Sequence, residues 1–188
     1  LASPNATRPY ELERDILVSA GRPDEAVEAL RRAVARFDDS KQLKQALGRL
    51  YESTNRKPEA ELLYWRMLNA EEELDARMAV LADLIRVVRA RGGLDLLVKE
   101  LEQRAEQSSS ALFPLLGLAE CHRVGRNNTA RGEALGRVLE LQPNNVAVLR
   151  EKARLEEELG NYTGARNLML RIADADATGA AFAKVVEY

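Results

Sequence analysis

Apolar residues recur at three- and four-residue spacing along almost the whole chain and do not alternate in the strand-forming way, which predicts helices nearly throughout. One stripe is Ala26, Val27, Leu30, Ala33, Val34 and Phe37, and the next is Leu43, Ala46, Leu47, Leu50 and Tyr51. Near the other end, Leu149, Ala153, Leu155 and Leu159 are followed by Ala165, Leu168, Met169, Ile172 and Ala173. Between stripes a polar corner returns five times in one frame: GRPDEA (21–26), NRKPEA (55–60), GGLDLL (92–97), GRNNTA (125–130) and GNYTGA (160–165). The frames end at 26, 60, 97, 130 and 165, spaced by 34, 37, 33 and 35 residues. That is the period of a helical hairpin, whose first helix precedes the corner and whose second follows it.

The corners carry the chemistry such a turn needs. Gly21, Gly92, Gly125 and Gly160 supply the left-handed conformation where a first helix ends, and Asn55 tolerates it. Pro23 and Pro58 sit where a starting helix needs no N–H donor. The small Ala closing four frames lets paired helices approach, and Leu97 in the third calls for a local shift. A four-helix bundle would not explain the period, and a coiled coil would need sustained heptads without the Gly punctuation. The longer step between the second and third frames predicts longer helices or a loop around NAEEELDARM.

With these residues in place, the chain resembles the tetratricopeptide repeat (TPR) family, a 34-residue helix-turn-helix with W-x2-L-G-x2-Y, then A-x3-F, then P. The second repeat matches best, with Leu47-Gly48, Tyr51, and Ala60 followed by Tyr64. Lys44 stands where the family often has an aromatic and Glu72 where it has Pro, while Pro143 in LELQPNN is near the closing Pro. The resemblance implies an all-α, right-handed superhelical α-solenoid of antiparallel hairpins. Its repeats span 10–38, 40–72, 73–109, 110–143 and 144–177, after a 1–9 linker. Residues 178–188 read as the first helix of a further repeat or as a closing helix, and the chain as a part of a longer protein.

Composition narrows the function. The 188 residues include 28 basic and 30 acidic ones, for a net charge of −2, so no global basic footprint favours nucleic acid. No apolar run approaches the ~20 residues of a membrane-spanning helix. Cys121 is the single Cys and His122 the single His, which excludes an internal disulfide and ordinary zinc spacing. Cys121, at the position of Tyr51, reads as a buried structural thiol. Glu71-Glu72-Glu73 and Glu156-Glu157-Glu158 spread around a helix rather than converge on one atom, so they read as solvated or helix-end charge. The Asn-x-Thr triplets at Asn5, Asn127 and Asn161 read as turn chemistry rather than glycosylation. Neither an enzyme nor a cofactor is expected.

In the family, the first helices line a concave groove that commonly binds an extended peptide or partner helix. The resemblance places Arg8, Glu11, Asp15 and Val18 there, then Gln42, Gln45, Arg49 and Glu52, and Ala79, Ala82, Arg86 and Arg89. Leu112, Leu115, Ala119 and His122 follow, then Ala147, Arg150, Arg154 and Glu157. Arg49, Arg86, Arg89, His122, Arg150 and Arg154 are the candidate peptide-binding residues, since guanidinium groups hold carboxylates through paired donors. The opposing reading is that these Arg pair with neighbouring Glu. Glu11, Gln45, Asp15 and Arg49 stand where some members carry the Asn and Lys that clamp heat-shock chaperone tails, so that partner is not transferred. The expected role is a scaffold for a protein or peptide partner of acidic character. The alternatives are an RNA-binding helical repeat, or self-assembly through Phe182 and Val185.

Overall fold

A computed structural model describes residues 4–107 and 111–175, and every regular element among them is an α-helix. The helices are α1 (Pro4–Ser19), α2 (Pro23–Arg36), α3 (Lys41–Ser53), α4 (Lys57–Ala70) and α5 (Leu74–Ala90). They continue with α6 (Leu94–Gln107), α7 (Leu112–Val124), α8 (Asn128–Leu141), α9 (Val146–Glu158) and α10 (Tyr162–Ala175). The fold is the all-α class of the helical-hairpin solenoid. Residues 4–9, read from the sequence as linker, belong to α1. Phe182 and Val185 lie outside the described residues.

The chain forms two compact units, residues 1–93 and 94–188, divided in the turn after α5 and therefore inside the third predicted repeat. In the first unit α2 packs on α1 and α3, α4 packs on α3 and α5, and α1 also touches α3. In the second, α7 packs on α6 and α8, and α9 on α8 and α10.

Each second helix, α2, α4, α6, α8 and α10, is 14 residues long, and α3, α7 and α9 are 13. The longer third step has a local origin. At 17 residues α5 is four longer than α3, and the connection before it is one residue shorter than that between α2 and α3. Glu73 caps the added turn, its carboxylate accepting from the Asp75 N–H at 3.0 Å and the Ala76 N–H at 2.6 Å. The acidic run at 71–73 is thus helix-end chemistry.

Four corners use the left-handed residue the sequence marks: Gly21, Asn55, Gly92 and Gly160, with φ of 71°, 59°, 74° and 76°. The fourth corner does not. Gly125 is right-handed at φ −77°, and Arg126 takes the left-handed position at φ 58°. The hairpin frame therefore runs one residue later there, with Asn127 capping α8 through the Ala130 N–H. Counterparts of Ala26 and Ala60, both fully buried, are then Arg131 and not Ala130, which is half-buried. In the corrected frame the packed positions 26, 60, 97, 131 and 165 are spaced 34, 37, 34 and 34. Arg131 is 8% exposed and bridges from α8 to Glu151 of α9 at 3.0 Å.

Repeat two shows why the motif pairs a Gly with an aromatic. Leu47 and Tyr51 are buried on α3, Ala60 and Tyr64 on α4, and the Tyr64 ring lies against Gly48 so closely that a Cβ there would be 2.6 Å from Cζ. At the other extreme, α1 leaves Ile16 67% exposed although its counterpart on α3, Leu50, is 6% exposed beneath its neighbours.

Candidate functional site: the first-helix face

In the first unit the first helices lie side by side, α1 against α3 and α3 against α5, and line one face. An ionic cluster crosses it. Arg86 of α5 donates through Nε and Nη2 to the Glu52 carboxylate of α3, both at 2.8 Å, and through Nη2 to Asp83 at 2.7 Å. Glu52 also accepts the Tyr64 hydroxyl at 2.8 Å, so one carboxylate ties α3, α4 and α5 together. Burial pushes the Glu52 carboxyl up, but hydrogen bonds from Arg86 and Tyr64, with the Arg86 and Arg49 charges, outweigh it and hold the group below its ordinary value. Arg86 is raised by its bond to Glu52, against partial desolvation and with help from Asp83. Burial, then Glu52, raises Tyr64. Arg86 is thus committed within the protein, as the opposing reading of the arginines expects.

Arg49 and Arg89 differ. Both are exposed, Arg49 on the turn before Glu52 and Arg89 on the turn after Arg86, and neither makes a hydrogen bond or ion pair among the described residues. Arg49 also lines a shallow cavity of about 370 Å³ between α1 and α3, with Val18, Ala46 and Leu50 as its apolar part and Ser19, Ser53 and the Arg14–Asp15 pair as its polar part. The first unit therefore presents two exposed guanidinium groups, neither of them hydrogen-bonded or ion-paired among the described residues, astride a closed salt bridge.

In the second unit the one-residue shift at the corner changes which α7 side chains reach the equivalent face. Leu115 and Ala119, expected in the groove, are 2% and 3% exposed and belong to the core. His122 moves to the position of Tyr51 and is half-buried, while Cys121 takes that of Leu50 and is fully buried. Burial, then the Glu120 charge, pushes the Cys121 thiol up to about 12, so it is protonated and unreactive near neutral pH. The residue equivalent to Glu52 is Arg123, which the sequence reading missed; its Nε donates to Glu120 at 2.7 Å. The more even repeat spacing obtained one residue later was the available signal. On α9, Arg150 and Arg154 are exposed at the expected register. The six candidates thus divide by unit, with Arg49, Arg86 and Arg89 in the first and His122, Arg150 and Arg154 in the second.

No group of three or more His, Cys, Asp or Glu among the described residues is arranged to hold a metal ion, and no described helix is long and apolar enough to cross a membrane.

Helix pairs that recur every 34 to 37 residues, with one left-handed corner in each, define a helical-repeat protein. The Tetratricopeptide repeat family profile matches residues 15–73 and 121–180, more than half the chain, and the chain belongs to that family. Members of the family generally act as non-catalytic scaffolds that bind protein partners. Among solved structures, a subunit of Naa15/Naa10 bound to HypK-THB is 19% identical over 95% of this chain and 33% of its own, with a TM-score of 0.53. YrrB, described as a TPR protein with an unusual peptide-binding site, is 14% identical over 96% of this chain and 91% of its own, with a TM-score of 0.49. The nearly identical TPR-like repeats of a putative kinesin light chain from Podosopora anserina are 20% identical over 96% of this chain and 99% of their own, also at 0.49. At these identities the likeness concerns the fold alone. No curated protein matches the chain.

Proposed function

We propose that the chain docks an acidic, extended segment of a partner protein on the first-helix face of its first unit. The observation that carries this reading is the pair of exposed arginines, Arg49 and Arg89, that make no hydrogen bond or ion pair among the described residues and stand on either side of the Glu52–Arg86 bridge. A guanidinium whose N–H groups make no internal hydrogen bond keeps its planar fork of donors for a carboxylate from outside. Arg86 serves a different purpose: its bridge holds α3 and α5 in register and keeps the two arginines at a fixed separation. Arg150 and Arg154 lie on α9 of the second unit and outside this proposal, as does His122, half-buried at the position of Tyr51.

The test is fluorescence anisotropy with a labelled glutamate-rich peptide, before and after Arg49→Glu combined with Arg89→Glu. The double variant is expected to weaken binding on the order of tenfold per arginine, and the affinity of the unaltered chain should fall with added salt. Equal binding by both proteins would overturn the reading. A second reading, self-association, draws on the exposed Leu12 and Ile16 of α1, 49% and 67% accessible. Light scattering that shows one mass across a hundredfold range of concentration would dismiss it.

A further inference from the structure

The added turn of α5 leaves more than a longer helix. Where α5 starts early and the preceding connection is short, a cavity of about 420 Å³ opens between the beginnings of α3 and α5 and the end of α4. Met67, Ala70, Ala76 and Val80 give it an apolar lining, while Gln45 and Ala79 connect it to the first-helix face. At its rim Lys41 pairs with Glu71, and Lys44 with Asp38 at 3.1 Å, and Asp39 adds a third acid to these two lysines. An occupant therefore gains nothing from carrying negative charge into the cavity and gains from burying apolar surface against Met67 and Val80.

Resting on the proposed docking of an acidic segment, we infer that this cavity takes one aliphatic side chain of the same peptide and so fixes its register along the face. The spacing follows from helix geometry. At 1.5 Å per residue, Arg49 lies about 6 Å along α3 from Gln45, and Arg89 about 15 Å along α5 from Ala79. An extended peptide advances about 3.3–3.6 Å per residue. The occupant is thus a linear segment with an aliphatic residue at one position and carboxylates roughly two and four to five residues away. Charge complementarity with Arg49 and Arg89 selects the acids, and the apolar part of the lining, with acids in excess at its rim, selects the aliphatic side chain.

Two fluorescein-labelled peptides test this on the full chain: a serine- and glycine-based decamer carrying one leucine with glutamates two and four residues beyond it, and the same peptide with serine for leucine. The leucine peptide should bind on the order of ten- to a hundredfold more tightly. Ala79→Phe, at an exposed helical position, should remove that advantage, so that the two peptides bind alike. Equal affinity for both peptides, with both lost in the Arg49→Glu, Arg89→Glu variant, would overturn the cavity inference and leave acidic docking standing. Equal affinity with no response to the double variant, or no binding of either peptide at millimolar concentration, would overturn both. An equal loss of both peptides in Ala79→Phe would also overturn the cavity inference, and matching unfolding midpoints would confirm that the variant folds.

Discussion

In the second hairpin Gly48 on α3 lies under the Tyr64 ring of α4, whereas in the fourth the equivalent residues are Ala119 on α7 and Leu135 on α8, all four buried. One hairpin joins the smallest residue to a large aromatic, the other a slightly larger residue to a smaller partner. The corners differ in the same spirit. Asn55 and fully buried Ala60 shape the second, Arg126 and the bridging Arg131 the fourth. What is kept between them is backbone frame and combined volume, not residue type, and the difference at the corner decides which side chains reach the first-helix face. Glu52 in one unit and Arg123 in the other occupy the same place with opposite charge.

Exchanging the volumes puts this comparison under the greatest strain. Gly48→Ala brings a Cβ to 2.6 Å from the Tyr64 ring and should cost about 1–3 kcal/mol in urea unfolding. Adding Tyr64→Leu, which reproduces the filling of the fourth hairpin, should relieve the clash, so the pair should be non-additive in a double-mutant cycle. Ala60→Leu should likewise cost about 1–3 kcal/mol by overpacking, whereas Ala130→Leu at the half-buried position should stay within about 0.5 kcal/mol. Equal costs at 60 and 130 would restore the unshifted frame. Smaller still, Arg126→Gly should stabilise by about 1 kcal/mol because it removes a side chain from the left-handed region, and Gly160→Ala should destabilise by a similar amount.

The smallest effect is pH-dependent. Glu52 is held below its ordinary value of 4.5 in the folded chain, so the unfolded chain takes up the proton first as pH falls. Its contribution to stability is therefore present above that value and lost as pH drops through the lower folded one. Glu52→Gln should flatten this acid limb of the stability curve, measured as urea unfolding midpoints between about pH 3 and pH 7.

The hairpin architecture was legible because it depends on signals repeated five times: apolar stripes and corner residues in phase. The fourth corner misled for a physical reason. Glycine marks a left-handed site because it takes that conformation at no steric cost, but Gly125 has φ −77° and the cost falls on Arg126 instead. That single-residue error carried His122 onto the face and hid Arg123. Nor was the commitment of Arg86 legible, since its partner Glu52 lies 34 residues away and the bond depends on how α3, α4 and α5 stack. The cavity beside Met67 and Val80 arises from an added turn whose length the spacing revealed but whose place it left open between helix and loop.

The most direct measurement follows the arginine Nε–Hε resonances of the full chain while the leucine- and glutamate-bearing peptide is added. Shifts concentrated at Arg49 and Arg89, with Arg123 still, are the expected result. Shifts confined to the second unit, or spread evenly over exposed arginines, would contradict the claim that the pair in the first unit is where a partner docks.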